Sequence, residues 1–142
     1  MAFVRDDLRM TVELVPLCIA TVSLAETFAV SSTLAIGEVT GLRMEGDRIR
    51  ADLKGNAAAD WLQISPEGYG TLDVKATVET DDGAVIHMTY SGRLLFDTMT
   101  VYAAPLYHTG DERYAWMNRI QAVAKGHFTE DGKLIYEIFE LH

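Results

Sequence analysis

The stretch "TVETDDGAVIHMTYSGR", Thr77 to Arg93, decides the fold, because it reads as two strands around a tight turn. Leu72, Val74, Ala76 and Val78 alternate with Asp73, Lys75, Thr77 and Glu79, and Ile86, Met88 and Tyr90 alternate with His87, Thr89 and Ser91. Side chains alternate across a strand, so each arm has an apolar and a polar face. A two-residue loop at Asp82-Gly83 sets Val78 opposite His87 and mixes the faces. A three-residue loop Asp81-Asp82-Gly83 sets Val78 opposite Ile86 and Thr77 opposite His87, which keeps them apart. The pattern selects the longer loop, with Gly83 supplying a left-handed conformation.

Working outward, turn signals recur at short intervals: "EGD" from Glu45, "KGN" from Lys54, "SPEGYG" from Ser65 and "EDG" from Glu130. The β-branched, aromatic and alternating runs between them predict strands over Leu17 to Leu24, Leu34 to Leu42, Arg48 to Leu53, Trp61 to Ile64, Thr71 to Thr80, Ala84 to Arg93, Tyr114 to Lys125 and Leu134 to Leu141. About eight strands at this spacing predict an all-β fold, a closed antiparallel barrel or a sandwich. Helix is expected only as a turn or two after Ser23, a cap with Glu26 three residues on. The 142 residues contain no internal repeat or linker, so a single domain spanning 1–142 is expected.

The formal charge of -9, with no Lys/Arg-rich run to offset it, repels phosphate backbones and anionic lipid heads. Neither nucleic acid nor membrane is expected as a partner. Cys18 is the only cysteine and lies in the apolar run "VPLCIATVSL", which fits a buried thiol and a reducing compartment. The N-terminal "MAFVRDDLRM" has acids where a signal peptide needs cations, and no segment approaches the roughly 18 apolar residues of a membrane span. A cytoplasmic protein is expected.

Phosphate-binding glycine loops, GxSxG, HExxH, CxxC and EF-hand spacings are all missing, so no cofactor is expected. His87, His108, His127 and His142 are scattered, and no metal site is expected. Three polar groupings remain. Asp60 beside Trp61, where "GNAAA" enters a strand, is either a turn cap or a carboxylate at a barrel mouth with a raised pKa. In "YHTGDERYAWMNR", Tyr114, Trp116 and Asn118 share one face of a strand; they either hold an oxygenated ligand or form a core stripe in which Asn118 satisfies a backbone group. The hairpin's polar face, Asp73, Lys75, Thr77, His87, Thr89, Ser91 and Arg93, is either the wet outside of a barrel or the lining of a polar lumen.

Together the strings "LVPLCIATVSL", "MEGDRIRADLKGNAAADW", "PEGYGTLDVKATVETDDGAVIHMTYSG" and "TGDERYAWMNRIQAVAKGHFTEDGKLIYEIFEL" closely resemble the bacterial and fungal family called domain of unknown function 3237, from about Leu14 onward. The resemblance implies a closed β-barrel of the lipocalin-like or allene-oxide-cyclase-like kind, and a homo-oligomer. It aligns the family's acid before tryptophan with Asp60, the acid after leucine with Asp73, a basic position with Lys75 and the amide with Asn118. Two positions depart from its pattern: Ser91 stands where arginine is common and His108 where an acid is common.

These readings converge on a small-molecule enzyme of the cofactor-independent proton-transfer kind, an isomerase, cyclase or lyase. Asp60 or Asp73 would be the acid or base, and Asn118 and Tyr114 would hydrogen-bond a developing oxyanion. Trp61, Lys75, His87, Tyr90, Arg93 and Trp116 would complete the substrate site. The alternatives are a non-catalytic carrier of an apolar small molecule, whose lumen would hold no carboxylate, and a structural accessory subunit with a filled barrel.

Overall fold

A computed structural model describes residues 11–142. The stretch Met1–Met10, on which the reading about a leader rests, lies outside the described residues. The strands are β1 (Leu14–Leu24), β2 (Phe28–Ala29), β3 (Leu34–Glu45), β4 (Arg50–Leu53), β5 (Ala59–Ser65), β6 (Tyr69–Thr80), β7 (Val85–Leu95), β8 (Thr100–Ala103), β9 (Leu106–His108), β10 (Ala122–Phe128) and β11 (Leu134–Leu141). A 3-10 segment, Glu112–Arg119, stands between β9 and β10.

The pairing runs β6-β5-β3-β1-β11-β10-β8-β7, all antiparallel, and β7 pairs back onto β6. This circuit is a closed eight-stranded barrel, and closure leaves no open edge in it. Strand β4 continues the place of β5 between β3 and β6, and β9 pairs β7 beyond the end of β8. The hairpin has the register that the alternation demands, with Val78 opposite Ile86 and Thr77 opposite His87. Its turn is closed by the Thr80 and Gly83 amides, and Gly83 has φ +94°.

Period-two burial confirms which face is inside. Leu72, Val74, Ala76, Val78, Ile86, Met88 and Tyr90 are buried. Met44, Ile49, Val78, Ile86 and Met117 are fully buried and fill the barrel toward the hairpin turn. Each such side chain contributes about 1.5–3 kcal/mol by leaving water. Gly92 lets β7 and β8 come together: a Cβ there would lie 1.9 Å from the Tyr102 carbonyl oxygen.

Three expectations need correction. The segment from Tyr114 to Arg119 is not strand; Asp111 caps a 3-10 segment by accepting the Arg113 amide, and the strand begins only at Ala122. No helical turn follows Ser23, where β1 runs to Leu24 and the short β2 pairs β3. Strands β8 and β9 were not expected, because Pro105 separates two apolar pieces each too short to show alternation. Among the described residues no helix is long and apolar enough to cross a membrane.

Candidate active site

The 3-10 segment lies across the hairpin end of the barrel. The Tyr114 hydroxyl donates to Asp82 Oδ1 at 2.9 Å, and Arg113 Nη1 donates to the Asp82 carbonyl at 3.0 Å. The Arg48 guanidinium stacks on Trp116, 4.6 Å from the ring centre, and binds Glu140 at 2.5 Å. Glu140 is 3% exposed, and His142 Nε2 meets its other oxygen at 2.9 Å. Burial pushes this carboxyl up, but the hydrogen bonds from His142 and Arg48 outweigh it and hold the group below its ordinary range. Side chains tie this end together, and the clefts beside Arg48 are open to solvent.

The opposite end holds a cavity of about 220 Å³. Its wall is apolar, with Val22, Val39, Leu72, Val74, Leu94 and Phe128 among its residues, and exposed Thr27 and Met99 stand at its rim. Met99 is 43% exposed and has φ +53°, a left-handed conformation uncommon outside glycine. Into this wall the pleat of β5 turns Asp60, opposite Val74 on β6 and Gly37 on β3. The Asp73 amide donates to Asp60 Oδ1 at 3.0 Å, and Oδ2 makes no hydrogen bond among the described residues. Burial raises the Asp60 pKa, the Asp73 amide opposes the rise, and the Asp73 charge adds to it.

Two phenols complete the polar content. Tyr90 of β7 and Tyr136 of β11 line the cavity and meet edge to face, their ring centres 5.6 Å apart. Gly126 makes room for this arrangement, since a Cβ there would lie 2.8 Å from the Tyr136 ring. Tyr136 is 3% exposed, and among the described residues its buried hydroxyl has no polar neighbour but the Tyr90 phenol. Two phenols can use only one of their two protons on each other, so the pair is short of one acceptor. Burial pushes Tyr90 up to about 12, against a hydrogen bond with Tyr136 and with the Asp60 charge adding, and pushes Tyr136 well above its ordinary value, with the Tyr90 phenol and then the Asp60 charge adding. Both phenols are therefore protonated donors, and among the described residues no Lys, Arg or His lines the cavity.

Of the residues singled out in the sequence, Asp60 and Tyr90 meet here; the rest do not. Asp73, Lys75 and Arg93 are exposed on the barrel's outer surface, so the hairpin's polar face is the wet outside and not a lumen lining. Half-buried His87 is on that face, with Nδ1 3.0 Å from the Thr77 hydroxyl, and Arg93 leans over the Tyr69 ring. Trp61 points outward opposite Ile36 and is 43% exposed. Tyr114, Trp116 and Asn118 are at the other end, where the Asn118 amide exchanges hydrogen bonds with the Thr109 backbone at 2.8 and 2.9 Å. Asn118 thus closes a loop, and the expected convergence of Asp60, Asp73 and Asn118 does not occur. Cys18 is buried in β1 and its thiol is pushed up to about 12 by burial, which makes it a poor nucleophile. Among the described residues no three His, Cys, Asp or Glu side chains gather as a ligand set.

Sequence reasoning missed Tyr136. The signal was present: in "LIYEIFEL" the alternation puts Leu134, Tyr136 and Ile138 on one face, the buried face of β11.

Solved structures share this architecture. A β-barrel-like protein from Acinetobacter baumannii AYE superposes with TM-score 0.84 at 23% identity, covering 94% of this chain and 98% of that one. A conserved protein of unknown function from Rhodopseudomonas palustris gives 0.85 at 18%, covering 94% and 99%. A protein from Penicillium herquei, described as an enzyme, gives 0.69 at 22%, covering 93% and 94%. These likenesses show the fold. A sequence comparison with curated proteins finds no match. The sequence matches a family described as "Protein of unknown function (DUF3237)" over residues 7–104 and 95–141, and the chain belongs to that family.

Proposed function

We propose that the chain is a small-molecule enzyme that moves a proton without a cofactor, an isomerase, cyclase or lyase working inside the barrel. The observation that carries this reading is the Asp60 carboxyl in an apolar cavity, with one oxygen held by the Asp73 amide and the other free, beside two protonated phenols. A carboxylate poorly solvated by its surroundings is a stronger base than one in water, and phenols that stay protonated can donate to an oxygen as it gains charge. Asp60 is the acid or base, and Tyr136 with Tyr90 supplies the donors that had been sought in Asn118 and Tyr114. The carrier alternative called for a lumen without a carboxylate and the accessory-subunit alternative for a filled one; Asp60 and the cavity weigh against both. A barrel of similar fold from Penicillium herquei is described as an enzyme, which agrees with the reading.

The test begins with native mass spectrometry of the purified protein, to identify a compound that travels with it. That compound is then incubated with the protein in deuterated buffer, and product and deuterium uptake are followed. Turnover is expected, falling by about a hundredfold or more in Asp60→Asn. Recovery of the compound unchanged, or full turnover by Asp60→Asn, overturns the proposal.

A further inference from the structure

The cavity also limits what can enter it. Size comes first: a cavity of about 150 Å³ in another protein holds benzene, so by proportion about 220 Å³ holds roughly nine non-hydrogen atoms, one ring with a short substituent. Charge comes second. Among the described residues Asp60 is the one carboxyl and no cation lines the wall, so an anion would meet repulsion and no counter-charge there. Polarity comes third. The Tyr136 and Tyr90 phenols have only each other as polar partners among the described residues, which leaves the pair a donor with no acceptor beside the cavity, and a ligand that brings an acceptor matches it. Asp60 Oδ2 is the free base, so the same ligand must carry a removable proton close to that acceptor.

Building on the proton-transfer reading, we propose that the substrate class is an uncharged, one-ring-sized ketone or enone, its carbonyl oxygen on the Tyr136 hydroxyl and its α-carbon facing Asp60. In the step this implies, Asp60 Oδ2 takes the α-proton, and the electron pair of the C–H bond becomes the C=C of an enolate. The carbonyl π pair moves to oxygen, where the Tyr136 hydroxyl meets it, and the proton returns from Asp60 at the same or a conjugated carbon. No oxidant, reductant or second substrate enters.

The probes are acetophenone, benzoate and ethylbenzene, of nearly equal size, with 2-acetylanthracene as an oversized ketone, their binding measured by calorimetry at pH 8. Acetophenone and ethylbenzene are expected to bind, with benzoate and 2-acetylanthracene at least tenfold weaker than acetophenone. Tyr136→Phe is expected to weaken acetophenone about tenfold and leave ethylbenzene unchanged, while Asp60→Asn improves benzoate. Equal binding of benzoate and acetophenone, or no effect of Tyr136→Phe on the ketone, overturns the substrate class. Exchange of the acetophenone methyl protons in deuterated buffer is read separately by NMR. Binding with no exchange counts against the catalytic reading and leaves the ligand class standing, whereas exchange with indifferent selectivity does the reverse.

Discussion

The Asp60 carboxyl satisfies the Asp73 amide at 3.0 Å and so takes the place of a ladder contact, since no backbone pairing is formed by Trp61 and Leu62 with Leu72 and Asp73. Because its pKa in the fold lies above the ordinary 3.8, the native state binds more protons than the unfolded chain between those two values. Stability therefore falls as pH rises through that window, and above it the charged carboxylate is a standing cost. Asp60→Asn keeps an acceptor for the Asp73 amide and removes the charge. It should raise stability at pH 7 by about 1 kcal/mol, a few degrees in Tm, and the gain should vanish below pH 3.8 where both residues are neutral. Thermal melts of both proteins across that range check the sign. More stable and less active is the pattern expected where a group is kept for chemistry at the expense of the fold. At this scale the sequence marked Asp60 through its setting beside Trp61 and the small residues of "GNAAA", but whether it capped a turn or faced a lumen depended on where β5 would lie.

Strand β11 carries the element-scale counterpart. Its inward positions run Leu134, Tyr136, Ile138 and Glu140, so one strand delivers a phenol to the cavity and an ion-paired carboxylate to the hairpin end. The carboxylate is the reverse case of Asp60. Burial opposes ionisation of Glu140, yet the His142 and Arg48 hydrogen bonds lower its pKa below the ordinary 4.5. Its contribution is present above pH 4.5 and is lost as pH falls through the lower folded value. Arg48→Ala should cost about 2 kcal/mol at pH 7, through a poorly paired buried carboxylate and the lost stack on Trp116, with the deficit shrinking in acid. Denaturant titration at the two pH values measures it. The element-scale misreading has the same root: Tyr114, Trp116 and Asn118 alternate as a strand would, while the competing signal was the single cap Asp111. So short an alternation is satisfied equally by an eight-residue helical segment that buries only Met117.

On the scale of the molecule, the barrel is asymmetric along its axis, packed and ion-paired at the hairpin end and hollow at the other. Gly37 gives a way to test the hollow. It lines the cavity opposite Asp60, and a Cβ there would meet nothing closer than the Thr27 hydroxyl at 3.6 Å. Gly37→Ala should fold with stability within about 1 kcal/mol of the parent and narrow the cavity. Acetophenone affinity should drop several-fold while the melting profile barely moves. An unchanged affinity would place ligand binding outside this cavity.

The sequence by itself determined the all-β character, the three-residue turn at Asp81 to Gly83 and the Val78–Ile86 register, because these follow from period-two alternation and left-handed glycine geometry acting over a few neighbours. It also separated the two faces of the hairpin. Only the tertiary structure decided which face is wet, because that depends on closing β7 onto β6 around the whole circuit. It alone brought Gly37, Asp60, Tyr90 and Tyr136 to one cavity, from four strands far apart in the chain, and sent Asn118 to the opposite end. Burial, which gives Asp60 its raised pKa and leaves Tyr136 only the Tyr90 phenol as a polar neighbour, is a property of the closed barrel and of no local stretch.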